Sequence, residues 1–135
     1  MDDCIFCKII KGEIPSQKVY EDDDIIAFLD IRPINPGHTL VVPKTHAANI
    51  LETSEEDAQK LVAAVKKIAP AILKAVGTES FNLSSNNGRA SGQVVFHTHW
   101  HIMPRFPADG YEPWSRDDDK HDDLASMAEK IRANL

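Results

Sequence analysis

Three histidines alternate through one short stretch, His97-Thr98-His99-Trp100-His101, and that spacing restricts how the surrounding chain can fold. Side chains of a β-strand point alternately to opposite faces. A strand here sets the three imidazoles on one face and Thr98, Trp100 and Ile102 on the other. A helix would spread the rings around its axis. Val94, Val95, Phe96 and Trp100 are strand formers, so a strand is expected over Val94–Met103. Three imidazoles in a row are too polar for ordinary core packing, and imidazole is the side chain that titrates nearest neutral pH. Two chemistries use such a row. His-x-His on a strand supplies two ligands to zinc. Alternatively one ring acts as a nucleophile and its neighbours orient it. The spacing does not choose between them, but interleaving with strand formers separates the run from a terminal purification tag.

The segment leading into the histidines, Ser84-Ser85-Asn86-Asn87-Gly88-Arg89-Ala90-Ser91-Gly92-Gln93, is polar and carries two glycines, the composition of a loop. Small residues let backbone N–H groups approach an anion, and Asn86, Ser91 and Gln93 can hydrogen-bond a phosphate or ribose. It lacks the Gly-Lys-Ser/Thr ending of a P-loop.

Elsewhere, Ile5–Ile10 reads as a short helix ending near Gly12. Lys18–Tyr20 and Ile25–Leu29 read as strands around the acidic turn Glu21-Asp22-Asp23-Asp24, and Thr39–Val42 as a third, entered through Asn35-Pro36-Gly37. Ser54 suits an N-cap, with Glu55, Glu56 and Asp57 matching the positive helix end. Leu61, Val62, Val65, Ile68, Ile72 and Val76 follow helical spacing up to Gly77, a C-terminal stop. Pro70 lies inside that pattern and is expected to kink or split the helix. Phe81–Ser84 adds a strand, and Pro104, Pro107 and Pro113 predict an irregular segment after the histidines. A last helix runs through Leu124, Met127, Ala128 and Ile131, preceded by Asp117-Asp118-Asp119. The elements predict one α+β domain over residues 1–135: a five-stranded, mainly antiparallel sheet with a long helix and a C-terminal helix.

A net charge of −6 argues against a general nucleic-acid surface but leaves room for a mononucleotide, whose phosphate needs only local donors. The longest apolar run, Ile25–Leu29, is too short to cross a membrane. An acidic start, Met1-Asp2-Asp3, and only two cysteines favour a cytoplasmic protein.

Taken together, the motifs resemble the histidine triad (HIT) family, in its Hint-like bacterial branch. The resemblance rests on His97-Thr98-His99-Trp100-His101-Ile102-Met103, on Asn86, Gly92 and Gln93 upstream, on Phe28-Leu29-Asp30-Ile31-Arg32-Pro33, on Pro36–His46, and on Cys4-Ile5-Phe6-Cys7 with Ile14-Pro15. It spans a core of residues 4–106, with 107–135 as a C-terminal extension. The resemblance implies a HIT-like fold and a homodimer joined through the long helix and a sheet edge. It also implies release of AMP from purine nucleoside phosphoramidates or adenylylated small molecules through a nucleotidyl-histidine. His99 corresponds to the nucleophile, the His97 carbonyl to its orienting acceptor, and His101, Asn86, Gly92 and Gln93 to the phosphate donors. Asp30 corresponds to the ribose-binding carboxylate, Phe6 and Ile31 to the purine pocket with Ile5, Ile9 and Phe28, and His38 to a supporting position. Val94 departs from the Ser or Thr of many relatives and removes a side-chain donor near the leaving group. The tail after Arg105 differs from the short tail of animal relatives, and Trp114 within it is a candidate for shaping the substrate site.

Cys4-x-x-Cys7 is half of a tetrahedral zinc site, and two histidines must complete it because no other cysteine exists. The resemblance implies His46 and His97, hence one structural zinc per chain. Three other functions compete: a diadenosine polyphosphate hydrolase, a metalloenzyme with zinc on His99 and His101, and a non-catalytic nucleotide-binding regulatory protein.

Overall fold

Turn residues divide the chain into short strands that assemble into one sheet. The structure, a computed structural model, describes residues 3–116 and 123–135. Its strands are β1 (Lys18–Glu21), β2 (Ile25–Leu29), β3 (Thr39–Pro43), β4 (Ser80–Ser84) and β5 (Trp100–Arg105). They lie in the order β1-β2-β3-β5-β4, every neighbouring pair antiparallel. The Asp22 carboxylate closes the first hairpin by accepting the backbone N–H groups of Asp24 and Ile25, each at 2.8 Å. The helices are α1 (Ile5–Ile10), α2 (Glu55–Val76) and α3 (Leu124–Ala133). The Asp117-Asp118-Asp119 run falls outside the described residues.

β2 and β3 are buried on both faces, which is why they read as unbroken apolar runs. One face, through Ile25, Ala27, Val41 and Ile102, packs on Leu61, Val65, Ile68 and Ile72 of α2. On the opposite face Ile26, Phe28, Leu40 and Val42 receive Phe6 of α1. The functional residues gather on this second face.

α2 starts and stops as its ends predict. Ser54 Oγ accepts the Asp57 N–H at 3.1 Å, and Gly77 closes the helix with φ +79°. Pro70 does not split it; the helix is continuous through Val76. Pro70 and Lys66, whose carbonyl loses a partner, both face solvent, where water replaces the missing bond. The buried stripe on the other side holds the helix together.

The expected strand over Val94–Met103 is shorter than the sequence implies, since pairing begins only at Trp100. Opposite this segment β3 ends in Pro43, which has no N–H, and its carbonyl accepts the His97 ring N–H at 2.7 Å. Residues 93–99 are therefore held by side-chain bonds and isolated backbone bonds, such as the Thr98 N–H to the Ala47 carbonyl at 2.8 Å, rather than by a ladder, with a short 3-10 turn, Arg89–Ser91, before them. The facial alternation survives: His97 and His99 contact Phe6, while Trp100 and Ile102 face α2.

Pro104 lies inside β5 rather than beyond it. β3 pairing stops at Ile102, so Pro104 has a strand on one side only, a position that tolerates a missing donor. After β5, Asp109 accepts Arg105 Nε at 2.8 Å and Asn35 Nδ2 at 3.0 Å, tying the next loop to the turn before β3.

In that turn Gly37 has φ +88°, and a Cβ there would lie 2.9 Å from Val76 Cγ1 and 3.2 Å from Pro104 Cγ. Conformation and crowding both demand glycine. Among the described residues no helix is long and apolar enough to cross a membrane.

Candidate functional site

Where α1, β2, β3, the 86–95 loop and the histidine row meet, the protein encloses a cavity of about 420 Å³. Ile9, Phe28 and Leu40 give it an apolar end, and Asp30, Asn86, Gly92, His99 and His101 a polar one. Phe6 forms part of the wall and meets the His99 ring edge-to-face at 5.0 Å.

The hydrogen bonds assign the imidazole tautomers. A carbonyl can only accept, so the 2.7 Å contact between His99 Nδ1 and the His97 carbonyl puts the proton on Nδ1. His99 Nε2 is left with a free lone pair. His38 Nδ1 accepts the Ile34 N–H at 3.0 Å, which places the His38 proton on Nε2. That proton is donated to His101 Nδ1 at 2.8 Å, so His101 carries its own on Nε2. The Asp30 carboxylate stands 3.6 Å from His38 Nε2.

Burial keeps these rings neutral. It pushes the pKa values of His97 and His99 below the ordinary imidazole range, and that of His38 too, against an opposing pull from Asp30. His101 falls to about 4, through burial first and then the neighbouring His99 and His38.

Between pH 6.5 and about 4 the unfolded chain takes up protons that the folded rings refuse, so folding stability falls as pH falls through this window. Above it these rings are neutral in both states and stability is flat. Asp109, which Arg105 holds far below the usual carboxylate range, loses its contribution only in stronger acid. Urea midpoints at pH 7.5, 5.5 and 4.5 should descend in that order; equal midpoints would refute the assignment.

Beside the cavity, Cys4, Cys7, His46 and His97 form a second cluster whose four ligand atoms all lie within 4.8 Å of one another. Cys4 Sγ is 3.4 Å and Cys7 Sγ 3.6 Å from His97 Nδ1, and Cys7 Sγ is 3.4 Å from His46 Nδ1. The two Nδ1 atoms are 3.2 Å apart. A tetrahedral zinc ion with usual bond lengths requires about 3.4 Å between nitrogens and about 3.6 Å between sulfur and nitrogen. These four separations lie close to those of a tetrahedral zinc ligand set. His97 Nε2–H is taken by Pro43, so its Nδ1 is free to ligate. His99 belongs to no metal-sized group among the described residues; the only other one is Asp30, His38 and His101. A zinc held by His99 with His101 thus finds no geometric support.

Of the nucleotide-site residues expected from sequence, Phe6, Asp30, Ile31, Asn86, Gly92, His99 and His101 line the cavity, Ile31 at its exposed rim. Gln93 does not line it. Its buried amide accepts the Gly88 N–H at 2.8 Å and donates to the carbonyls of Ala48 at 2.6 Å and Val95 at 3.0 Å. In this geometry Gln93 braces the loop instead of facing a phosphate. Trp114 is almost fully exposed and lies outside the cavity wall. Sequence reasoning missed the direct bond from His38 to His101; its only signal was the histidine in Pro36-Gly37-His38.

The HIT domain family model matches residues 11–108. The chain is 47% identical to Protein hit of Bacillus subtilis over 99% of its own length and 95% of that protein. It is 48% identical to adenosine 5'-monophosphoramidase hnt1 of Schizosaccharomyces pombe, over 76% of this chain and 74% of that one. Among solved structures, SMU.412c from Streptococcus mutans superposes with a TM-score of 0.92 at 44% identity, covering 99% of this chain and 86% of the other. A zinc-bound histidine triad family protein from Mycobacterium smegmatis gives 0.78 at 35% identity, covering 98% and 92%.

Proposed function

Because this chain belongs to the HIT domain family, we propose that it is a nucleotide hydrolase that releases AMP from adenosine phosphoramidates or small adenylylated compounds. The observation that carries this reading is the neutral, lone-pair-bearing Nε2 of His99, fixed by the His97 carbonyl at the polar end of a nucleotide-sized cavity. The phosphoramidase activity named for the fission yeast relative supports the same reading.

The purine occupies the apolar end, with Phe6 and Ile31 at its sides, and Asp30 accepts the ribose hydroxyls. Asn86 and the Gly92 backbone hold the phosphate, and His101 donates to it from Nε2. Donors aimed at a phosphate stabilise charge where it develops in the transition state. His99 Nε2 then attacks the α-phosphorus. A phosphorus–nitrogen bond to His99 forms as the bond to the leaving amine breaks. The bonding pair stays on the amine, which already carries the proton that lets it leave neutral. Water attacks the adenylyl-histidine in turn, the pair returns to Nε2, and the proton from water passes to solvent. Two displacements replace one difficult one.

Cys4, Cys7, His46 and His97 would hold one zinc ion, as their separations support. Bound there, it supplies a cross-link between α1 and the His97 segment. His97 thus serves twice, through its ring in that cluster and through its carbonyl on His99. β4 is a free sheet edge with Phe81 and Leu83 exposed, and Val62 of α2 is exposed as well, which supports a homodimer closed over that edge and helix.

AMP release from adenosine 5'-phosphoramidate, with diadenosine tetraphosphate in parallel, tests the reading. Preferential cleavage of the phosphoramidate supports it. Preference for the dinucleotide moves the protein to a diadenosine polyphosphate hydrolase, and inertness toward both leaves a regulatory nucleotide-binding protein.

A further inference from the structure

Cys4 and Cys7 differ in what they face. Both are half-buried free thiols, and their sulfurs lie within 4.8 Å of each other. Cys4 also lines a second cavity of about 400 Å³, whose wall includes His46, Ile5 and Val94. That cavity is open at its mouth, where Val94 is 85% exposed and Ile5 44%. Cys7 is not on its wall, and its sulfur faces His46 and His97. A small solute therefore reaches Cys4 from solvent, while Cys7 stands behind it. Cys4 caps α1, and Cys7, three residues on, donates its backbone N–H to Cys4 Sγ at 3.4 Å. A disulfide needs sulfurs about 2 Å apart, and two cysteines on one turn supply that by side-chain rotation and a small shift of the cap.

We propose that Cys4 is an oxidation site for hydrogen peroxide with Cys7 as its resolving partner, so that the cysteine–histidine cluster acts as a redox switch on the nucleotide cavity. The inference rests on the zinc assignment and goes beyond the hydrolase reading. The Cys4 thiolate attacks one peroxide oxygen. A sulfur–oxygen bond forms as the oxygen–oxygen bond breaks, and the departing hydroxide takes a proton from solvent. The Cys7 thiolate then attacks the Cys4 sulfur, the sulfur–oxygen bond breaks, and a second hydroxide leaves and is protonated in the same way. The two sulfurs give up two electrons, and one peroxide becomes two waters. A thiolate ligates zinc and a disulfide does not, so only His46 and His97 remain of the four ligands that a structural site needs. Asp3 puts a negative charge on the wall beside Cys4, which favours a neutral oxidant over an anionic one such as glutathione disulfide. The two residues that the disulfide would enclose, Ile5 and Phe6, both line the nucleotide cavity. Phe6 meets the His97 and His99 rings edge-on at 6.0 and 5.0 Å. As zinc ligands the two sulfurs tie this wall to His97; as a disulfide they hold only each other.

The test treats the reduced, zinc-loaded protein with hydrogen peroxide or with glutathione disulfide at the same concentration. Zinc is followed with a metallochromic dye, the thiols by titration and intact mass, and AMP affinity by calorimetry. Peroxide should release one zinc for each Cys4–Cys7 disulfide formed, both at one rate and both faster than with glutathione disulfide. Dithiothreitol with added zinc should reverse the change. Dimedone present from the start should label Cys4 and not Cys7. The oxidised protein should bind AMP about fivefold more weakly, the effect of losing roughly one methylene's worth of wall contact. Thiols that survive peroxide with zinc still bound overturn the proposal, as do a disulfide between chains, first labelling at Cys7, and an AMP affinity that oxidation leaves unchanged. Reduced protein that holds no zinc overturns the zinc assignment and the switch with it, whereas zinc that is present and retained through oxidation overturns the switch alone.

Discussion

Replacing His99 with alanine should lower AMP release by about 10⁴-fold or more while leaving the protein folded and able to bind nucleotide. The size of the effect comes from the route it removes. Without Nε2 there is no group to form the covalent intermediate, and the remaining donors can only hold the phosphate while water attacks unaided. The fold survives because the lost ring is neutral and makes one hydrogen bond, to the His97 carbonyl. That carbonyl loses its partner, at a cost of about 1–3 kcal/mol. The measurement is single-turnover AMP release beside a urea titration and AMP binding by calorimetry. Residual activity within about tenfold of wild type would mean that another group attacks phosphorus. A mass increase of one adenylyl group on the wild-type protein, missing from the variant, would identify the bond directly.

Stripping zinc should have the second largest effect, and on stability more than on binding. The protein isolated without chelator, with its thiols reduced, should contain one zinc per chain. Chelation at mildly acidic pH, or Cys7→Ser, should remove the metal and lower the thermal midpoint by about 10 °C, a loss of roughly 3 kcal/mol. α1 has only six residues, too few to persist alone, and it is anchored by Phe6 packing, by Cys7 and by its N-cap Cys4. In the metal-free protein, burial and the neighbouring Cys4 push the Cys7 thiol up, so zinc must displace a proton and binds more weakly as pH falls. Elemental analysis that finds no zinc in such a preparation would sink the assignment. The activity of the stripped protein should fall less than that of His99→Ala, because His99 keeps its hydrogen bond to the His97 carbonyl without the metal.

Features set by neighbours along the chain are legible in the amino-acid order itself. Ser54 and Gly77 bound α2, and the apolar runs of β2 and β3 announce strands buried on both faces. The histidine alternation puts the three rings on one face even though the strand starts only at Trp100. Features set by distant partners are not legible. The His97 ring bonds Pro43, 54 residues away, and faces Cys4, 93 residues away, so those partners override the strand propensity of Val94–Phe96. Gln93 shows the same limit. An amide can hold a phosphate or a backbone, and only the approach of Ala48 and Gly88 turns it inward. Pro70 does not split α2, because the proline and the Lys66 carbonyl that loses its donor lie on the solvent face while the buried stripe opposite holds the helix together. Within the candidate site, residue types are readable and proton positions are not, because the bond between His38 and His101 joins positions 63 apart.

Gly37 touches neither the cavity nor the cysteine cluster, yet it is wedged between the end of α2 and Pro104 and directly precedes His38. A saturation library scored for turnover would rank this position beside the histidines, and that map alone would place it in the active site. Scoring the same library for abundance separates the two. Histidine variants would persist as inert protein, whereas variants at Gly37 would vanish from the cell before their chemistry could be tested.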